Sequence, residues 1–111
     1  MDTKRFKYSD CPMQRSMGVL GTKWKPIVIW ILRDRKARFG QIAATIGIVS
    51  RKVLADTLKE LEEDGIVLRT AYKELPPRVE YSLTPKGAAL LPILRQLTDW
   101  AGEYYDENIS A

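Results

Sequence analysis

Histidine is absent from the chain, and Cys11 is its only cysteine. Without histidine there is no imidazole general acid or base, no Ser-His-Asp or Cys-His nucleophile and no ordinary zinc site. A lone cysteine excludes an internal disulfide. There is no glycine-rich phosphate loop, and the longest apolar run, Ile27 to Leu32, falls far short of the ~20 residues that span a bilayer. No basic-then-apolar leader precedes the fold. These absences point away from an enzyme, a metal or cofactor site and a membrane protein, and toward a soluble cytoplasmic protein.

What is present is charge, unevenly placed. The 111 residues carry a net charge of +4, and a chain of that length builds one domain, for which burial shared with a second copy would add stability. Residues 1–52 hold 12 Lys or Arg against 3 Asp, a balance of +9, whereas residues 53–111 hold 6 against 11 acidic residues, a balance of −5. A basic half beside an acidic half fits a face built for a polyanion, because each cation set against a phosphate releases condensed counterions. Scattered solvated charge would give the same count.

The chain is organised around Ser50 to Val67, SRKVLADTLKELEEDGIV. Ser50 stands where an N-cap belongs and Gly65 where a left-handed C-terminal cap belongs, framing a helix of about four turns over 50–64. Leu54, Leu58 and Leu61 form an inward stripe at i, i+4 and i+7, with Val53 and Thr57 on its flank. The opposite face carries Lys52, Ala55, Asp56 and Lys59, with Arg51 in the exposed first turn, and could enter a groove. Arg51 and Lys52 at the N-terminus and Glu60, Glu62, Glu63 and Asp64 at the C-terminus oppose the macrodipole at both ends, at a cost of about a few tenths of a kcal/mol per charge. A solvated amphipathic helix with an unfavourable charge order would look the same, so its neighbours decide.

In chain order, residues 1–10 are polar, basic and without periodicity, a flexible arm. Asp10 is placed to cap a first helix, about 11–21, with Pro12 in its first turn and Met13, Met17 and Leu20 on one face. Thr22 opens a second helix in which Trp24, Ile27, Val28, Ile31 and Leu32 form the buried stripe and Lys23, Lys25 and Arg33 point out. Trp30 lies off that stripe. Gly40 caps a short third helix carrying Ile42, Ala43 and Ile46 inward, with Phe39 stapling its start. Gly47 ends it, and a turn of three or four residues leads to Ser50. Two helices so joined make a helix-turn-helix, whose second helix presents its N-terminal residues to the major groove.

Beyond Gly65 the period changes to 2. Residues Ile66 to Leu75 and Arg78 to Leu83 read as two strands, the second with Val79, Tyr81 and Leu83 toward the core. The stiff Pro76-Pro77 pair belongs at the hairpin tip, flanked by the cations Lys73 and Arg78. A helix-turn-helix followed by such a hairpin is a winged helix, although a plain stabilising hairpin is the alternative. Thr84 and Pro85 open a last helix, about 85–108, which Pro92 must kink or split. Its Ile93, Leu94, Leu97, Trp100, Ala101, Tyr104 and Tyr105 cover more than one small domain needs, and the excess implies a partner, with core packing as the alternative. With both terminal helices supplying that surface, a two-fold dimer sets two recognition helices one duplex turn apart.

The segments CPMQRSMGVLGTKWKPIVIWIL, RF at Arg38-Phe39, SRKVLADTLKELEEDGIVLR and PPRVEYSLTPKG together resemble the HxlR family of winged-helix transcriptional regulators, from Cys11 to about Trp100. Gly40-Gln41 stands where the family often has Ser-Glu, and Gly47-Ile48-Val49-Ser50 where it often has Pro-Gly-Ile-Ser. The resemblance implies an α+β, mainly α, winged helix-turn-helix with extra N- and C-terminal helices forming a dimer interface, here Met13, Met17, Leu94, Leu97, Trp100 and Tyr104. It implies a homodimer that binds double-stranded operator DNA and controls genes, and we read it as a repressor rather than an activator. Its DNA-facing positions fall on Ser50, Arg51, Lys52, Ala55, Asp56 and Lys59, and on Lys73 and Arg78 around the wing at 73–78. A winged helix that docks proteins without touching DNA is the alternative.

Cys11 has two readings. An isolated cysteine is most simply a small packing residue. Its place before a helix N-terminus, with Lys7 and Arg15 near in sequence, favours a reactive thiol. The resemblance adds that some relatives use a cysteine here to sense oxidants or electrophiles, which would make an oxidant or small molecule the effector.

Overall fold

A computed structural model describes residues 11–110, the last five by backbone alone. The arm at 1–10, with Asp10 and Lys7, lies outside the described residues. The elements are α1 (Pro12–Leu20), α2 (Lys25–Ile31), α3 (Phe39–Ile46), α4 (Arg51–Glu63), β1 (Val67–Tyr72), β2 (Arg78–Leu83), α5 (Pro85–Ala88) and α6 (Leu91–Ser110). Among the described residues no helix is long and apolar enough to cross a membrane.

Three helix starts differ from those expected. The N-cap of α1 is Cys11, which places Pro12 in the first turn, where its missing N–H costs nothing. Thr22 does not open α2. Its hydroxyl accepts from the Lys25 N–H at 3.4 Å and donates to the Val19 carbonyl at 3.5 Å, so it closes the turn between α1 and α2, and Trp24 becomes the N-cap. For α3 the N-cap is Arg38 rather than Gly40. Gln41 Oε1 accepts the Arg38 N–H at 2.8 Å, which satisfies a donor that the helix itself cannot. Phe39 is thus the first helical residue.

The buried side of α2 is also turned from its expected position. Val28 and Ile29 are inaccessible and Leu32 nearly so, while Ile27 is 41% exposed and Lys25, expected to point out, is buried. A helix apolar on almost every side gives periodicity little contrast, so its phase is set by its neighbours. The core joins Val28, Ile29 and Leu32 to Ala37, Ile42, Leu54, Leu58, Leu61, Ile66, Val67 and Leu94. It therefore draws on α2, α3, α4, β1 and α6.

Helix α4 keeps its expected ends. Gly65 takes φ +75°, the left-handed region, and the chain turns there with Ile66 N–H on the Leu61 carbonyl (2.9 Å) and Gly65 N–H on that of Glu62 (3.0 Å), a Schellman closure. Strands β1 and β2 pair antiparallel from Val67↔Leu83 to Tyr72↔Arg78. The first strand is shorter than Ile66 to Leu75 because Ile66 is used in the Schellman closure and residues 73–77 in the hairpin tip. Ala37 bridges Tyr81 through Ala37 N–H to O (3.0 Å) and Tyr81 N–H to O (2.8 Å). With both edges of β2 covered, every one of its residues is half-buried, and the expected contrast between its two faces is lost. Tyr81 and Leu83 pack against the core.

Thr84 caps α5 as expected, accepting from the Gly87 N–H at 3.1 Å while its hydroxyl donates to the Gly65 carbonyl at 2.6 Å. Pro92 splits the C-terminal helix: it cannot donate, and its ring would strike the carbonyl of Ala88, so α5 stops and α6 begins at Leu91.

Candidate nucleic-acid interface

The site is built by the turn at residues 47–50. Gly47 takes φ +88°, which ends α3, and Ser50, in extended conformation, accepts the Val53 N–H on its hydroxyl at 3.0 Å and starts α4. Leu54, Leu58 and Leu61 then anchor one side of α4 in the core together with Thr57, whose hydroxyl is returned to the Val53 carbonyl at 2.7 Å. With that side fixed, Arg51, Lys52, Ala55, Asp56 and Lys59 are all exposed.

Two of these side chains have partners within the chain. The Arg51 guanidinium lies 4.9 Å from the centre of the Phe39 ring, which ties the first turn of α4 to the first turn of α3. Lys52 Nζ is 3.1 Å from Asp56 Oδ2, one turn on, with both side chains well exposed. Such a pair is weak in water, so a phosphate can take over the ammonium at little cost. The Phe39 contact was not foreseen, since the two residues belong to different helices. The stretch between α2 and α3 adds exposed Arg35, Lys36 and Arg38, with Arg35 Nη2 reaching the Thr45 hydroxyl at 3.4 Å.

At the wing Lys73 is exposed, whereas Arg78 is engaged. Its guanidinium is 3.0 Å from Glu74 Oε2, 3.9 Å from Glu80 Oε2 and 4.2 Å from the Tyr72 ring centre. Arg78 thereby braces the base of the hairpin tip. Leu75, at that tip, is 98% exposed.

A helix-turn-helix whose second helix shows a basic first turn, followed by a two-stranded wing, is the layout of a DNA-binding regulator. The family model for the HxlR-like helix-turn-helix matches residues 19–109. This chain belongs to the HxlR family. The chain is similar to the HTH-type transcriptional regulator BH0655 of Halalkalibacterium halodurans, 45% identical over 92 residues that cover 82% of this chain and 81% of that one. Among solved structures, the redox regulator HypR in its reduced form superposes with a TM-score of 0.83 at 38% identity, covering 91% of this chain and all (100%) of HypR. The reduced form of YodB from Bacillus subtilis gives 0.76 at 38% identity, covering 89% and 98%. YodB is also known in diamide-treated and quinone-bound forms. As an HxlR-type transcriptional regulator the chain is not an enzyme.

The terminal helices of this HxlR-type chain carry the other expected surface. Met13 (67% exposed), Met17, Leu97, Trp100 and Tyr104 lie at the surface, and Trp100 holds Tyr104 and Tyr105 at ring-centre distances of 5.7 and 5.6 Å. Leu94 does not share that face. At 4% exposure it belongs to the core, because α6 turns it toward α2. Two apolar hollows flank Leu97, one of about 290 Å³ between α2 and α6, and one of about 400 Å³ between α1 and α6. Cys11 is exposed at the N-terminus of α1, where its carbonyl accepts the Arg15 N–H at 3.1 Å.

Proposed function

We propose that this DNA-binding regulator acts as a homodimeric repressor, with α4 of each copy in the major groove of a duplex operator and the wing on the backbone or minor groove. The observation that carries the reading is the division of α4: three leucines hold one side in the core while Arg51, Lys52, Ala55, Asp56 and Lys59 stand exposed on the other. Ser50 starts that surface, and Lys73 extends it to the wing. Arg78 joins in only by exchanging Glu74 for a phosphate. The partner face is Met13, Met17, Leu97, Trp100 and Tyr104, on the two terminal helices of a single domain spanning 11–111.

The test is salt-dependent binding to duplex DNA. Lys52→Ala and Lys59→Ala should each weaken binding to all sequences alike and lower the salt slope by about one. Variants that bind as the parent does at two salt concentrations would show that this side of α4 does not face DNA.

Regulation is proposed to run through Cys11, with an oxidant or electrophile as effector. The reading is supported by the exposure of the thiol, by its place at the head of a helix assigned to the partner face, and by similarity to HypR and YodB, the first a redox regulator and the second captured with diamide and quinone. Diamide should change the operator affinity of the parent, and added thiol should restore it. Cys11→Ser should bind operator and show no response; an equal response in both proteins, or none in the parent, would show that regulation does not run through Cys11.

A further inference from the structure

Lys25 opens α2 with only 9% of its side chain exposed, its Nζ 3.0 Å from Glu60 Oε1 on α4 and donating to the Gly18 carbonyl of α1 at 3.3 Å. A buried ammonium without such partners is costly, so α1, α2 and α4 are held in the arrangement that satisfies it. The contact lies in a hollow of about 710 Å³ whose lining includes Arg15, Asp64 and Lys86. There Lys86 Nζ donates to the Asp64 carbonyl at 2.7 Å. The C-terminal end of α4 is thus gripped by one cation from α2 and another from α5.

We infer that Lys25 is a positioning residue, which fixes the angle between α1 and α4 and so sets the half-site spacing that the dimer accepts. The inference rests on the dimer reading above, in which α1 carries part of the partner face. Its physical basis is leverage. Glu60 is near one end of α4 and Arg51 at the other, roughly 13 Å away along the helix. A rotation about the Lys25 contact therefore swings the reading end, and in a two-fold dimer both ends swing together. Spacing between half-sites is the quantity such a rotation changes.

The experiment uses the full chain and duplexes bearing two copies of its footprinted half-site, separated by spacers that increase one base pair at a time, with a single half-site as control. Parent, Lys25→Met and Glu60→Gln are compared. Lys25→Met keeps an unbranched apolar stem and removes the ammonium. Glu60→Gln changes a side chain that is 56% exposed, and so spares the fold. The parent should prefer one spacing. In both variants the preference for that spacing over its neighbours should fall by about fivefold or more, while single half-site affinity stays within about twofold of the parent. A sharp profile retained in the variants overturns the inference, as does an equal loss on every duplex including the single half-site. A parent with no preferred spacing overturns the dimer reading instead. Should Lys25→Met fail to fold, Glu60→Gln alone decides between these outcomes.

Discussion

Arg51 is a surface side chain held ready. A guanidinium stacked on an aromatic ring gives up little hydration and keeps its planar fork in one orientation, so in the proposed DNA complex the Phe39 contact would prepare Arg51 to meet a base edge. Arg51→Ala should therefore lose about 1–3 kcal/mol of discrimination at the base pair it reads, measured by competition between the operator and singly substituted duplexes. Arg51→Lys should not recover it, lacking the fork. A uniform loss across all duplexes would place Arg51 on the phosphates. Such single residues were unevenly legible in the sequence. Ser50, Gly65 and Thr84 could be read because a cap is defined by residues within a turn of it. Lys25 and Leu94 could not: Lys25 is paired with Glu60, far along the chain, and Leu94 joins a core assembled from several distant elements.

At the scale of elements the same division holds. Helix α4 and strand β2 were legible within a residue or so, since each shows a clear period in the sequence and a marked end. The caps of α1, α2 and α3 shifted by one or two residues, because several neighbouring residues there could serve as the first cap and the details of the turns chose among them. The phase of α2 was only partly legible in a run as apolar as Ile27 to Leu32: Val28 and Leu32 are buried as expected, whereas Ile27 is exposed and Ile29 and Lys25 are buried. Not legible was the Ala37 bridge, one residue paired to Tyr81 across the fold, which gives β2 a neighbour on each edge and ties the helix-turn-helix to the wing. In the sequence the wing reads as a proline tip flanked by two cations, Lys73 and Arg78. Its internal ion pairs distinguish them, making Arg78 a brace and leaving Lys73 as the exposed member.

For the whole molecule, the open question in the sequence was why the C-terminal helix carries so much apolar surface. Leu97 gives the answer proposed here: it stands between two apolar hollows on either side of α6, each able to receive side chains from a second copy. Leu97→Glu would bury a carboxylate in that contact and should shift the protein from dimer to monomer in sedimentation, with the helix content of the monomer retained. A parent that sediments as a monomer at micromolar concentration would remove the partner face. The charge order of α4 has a consequence of another kind. It has no acid in its first turn and no base of its own in its last; Lys25 and Lys86 supply cations at the C-terminal end, but the basic first turn still faces the positive end of the dipole, a repulsion that dissolved ions screen. Raising salt from about 50 to 300 mM should thus raise the melting temperature of the protein alone by about 2 °C, while the same ions compete with it for the duplex. With α4 in the groove as proposed, operator and electrolyte become rival remedies for one misfit, and the conditions that best preserve this regulator in solution are those in which it regulates least.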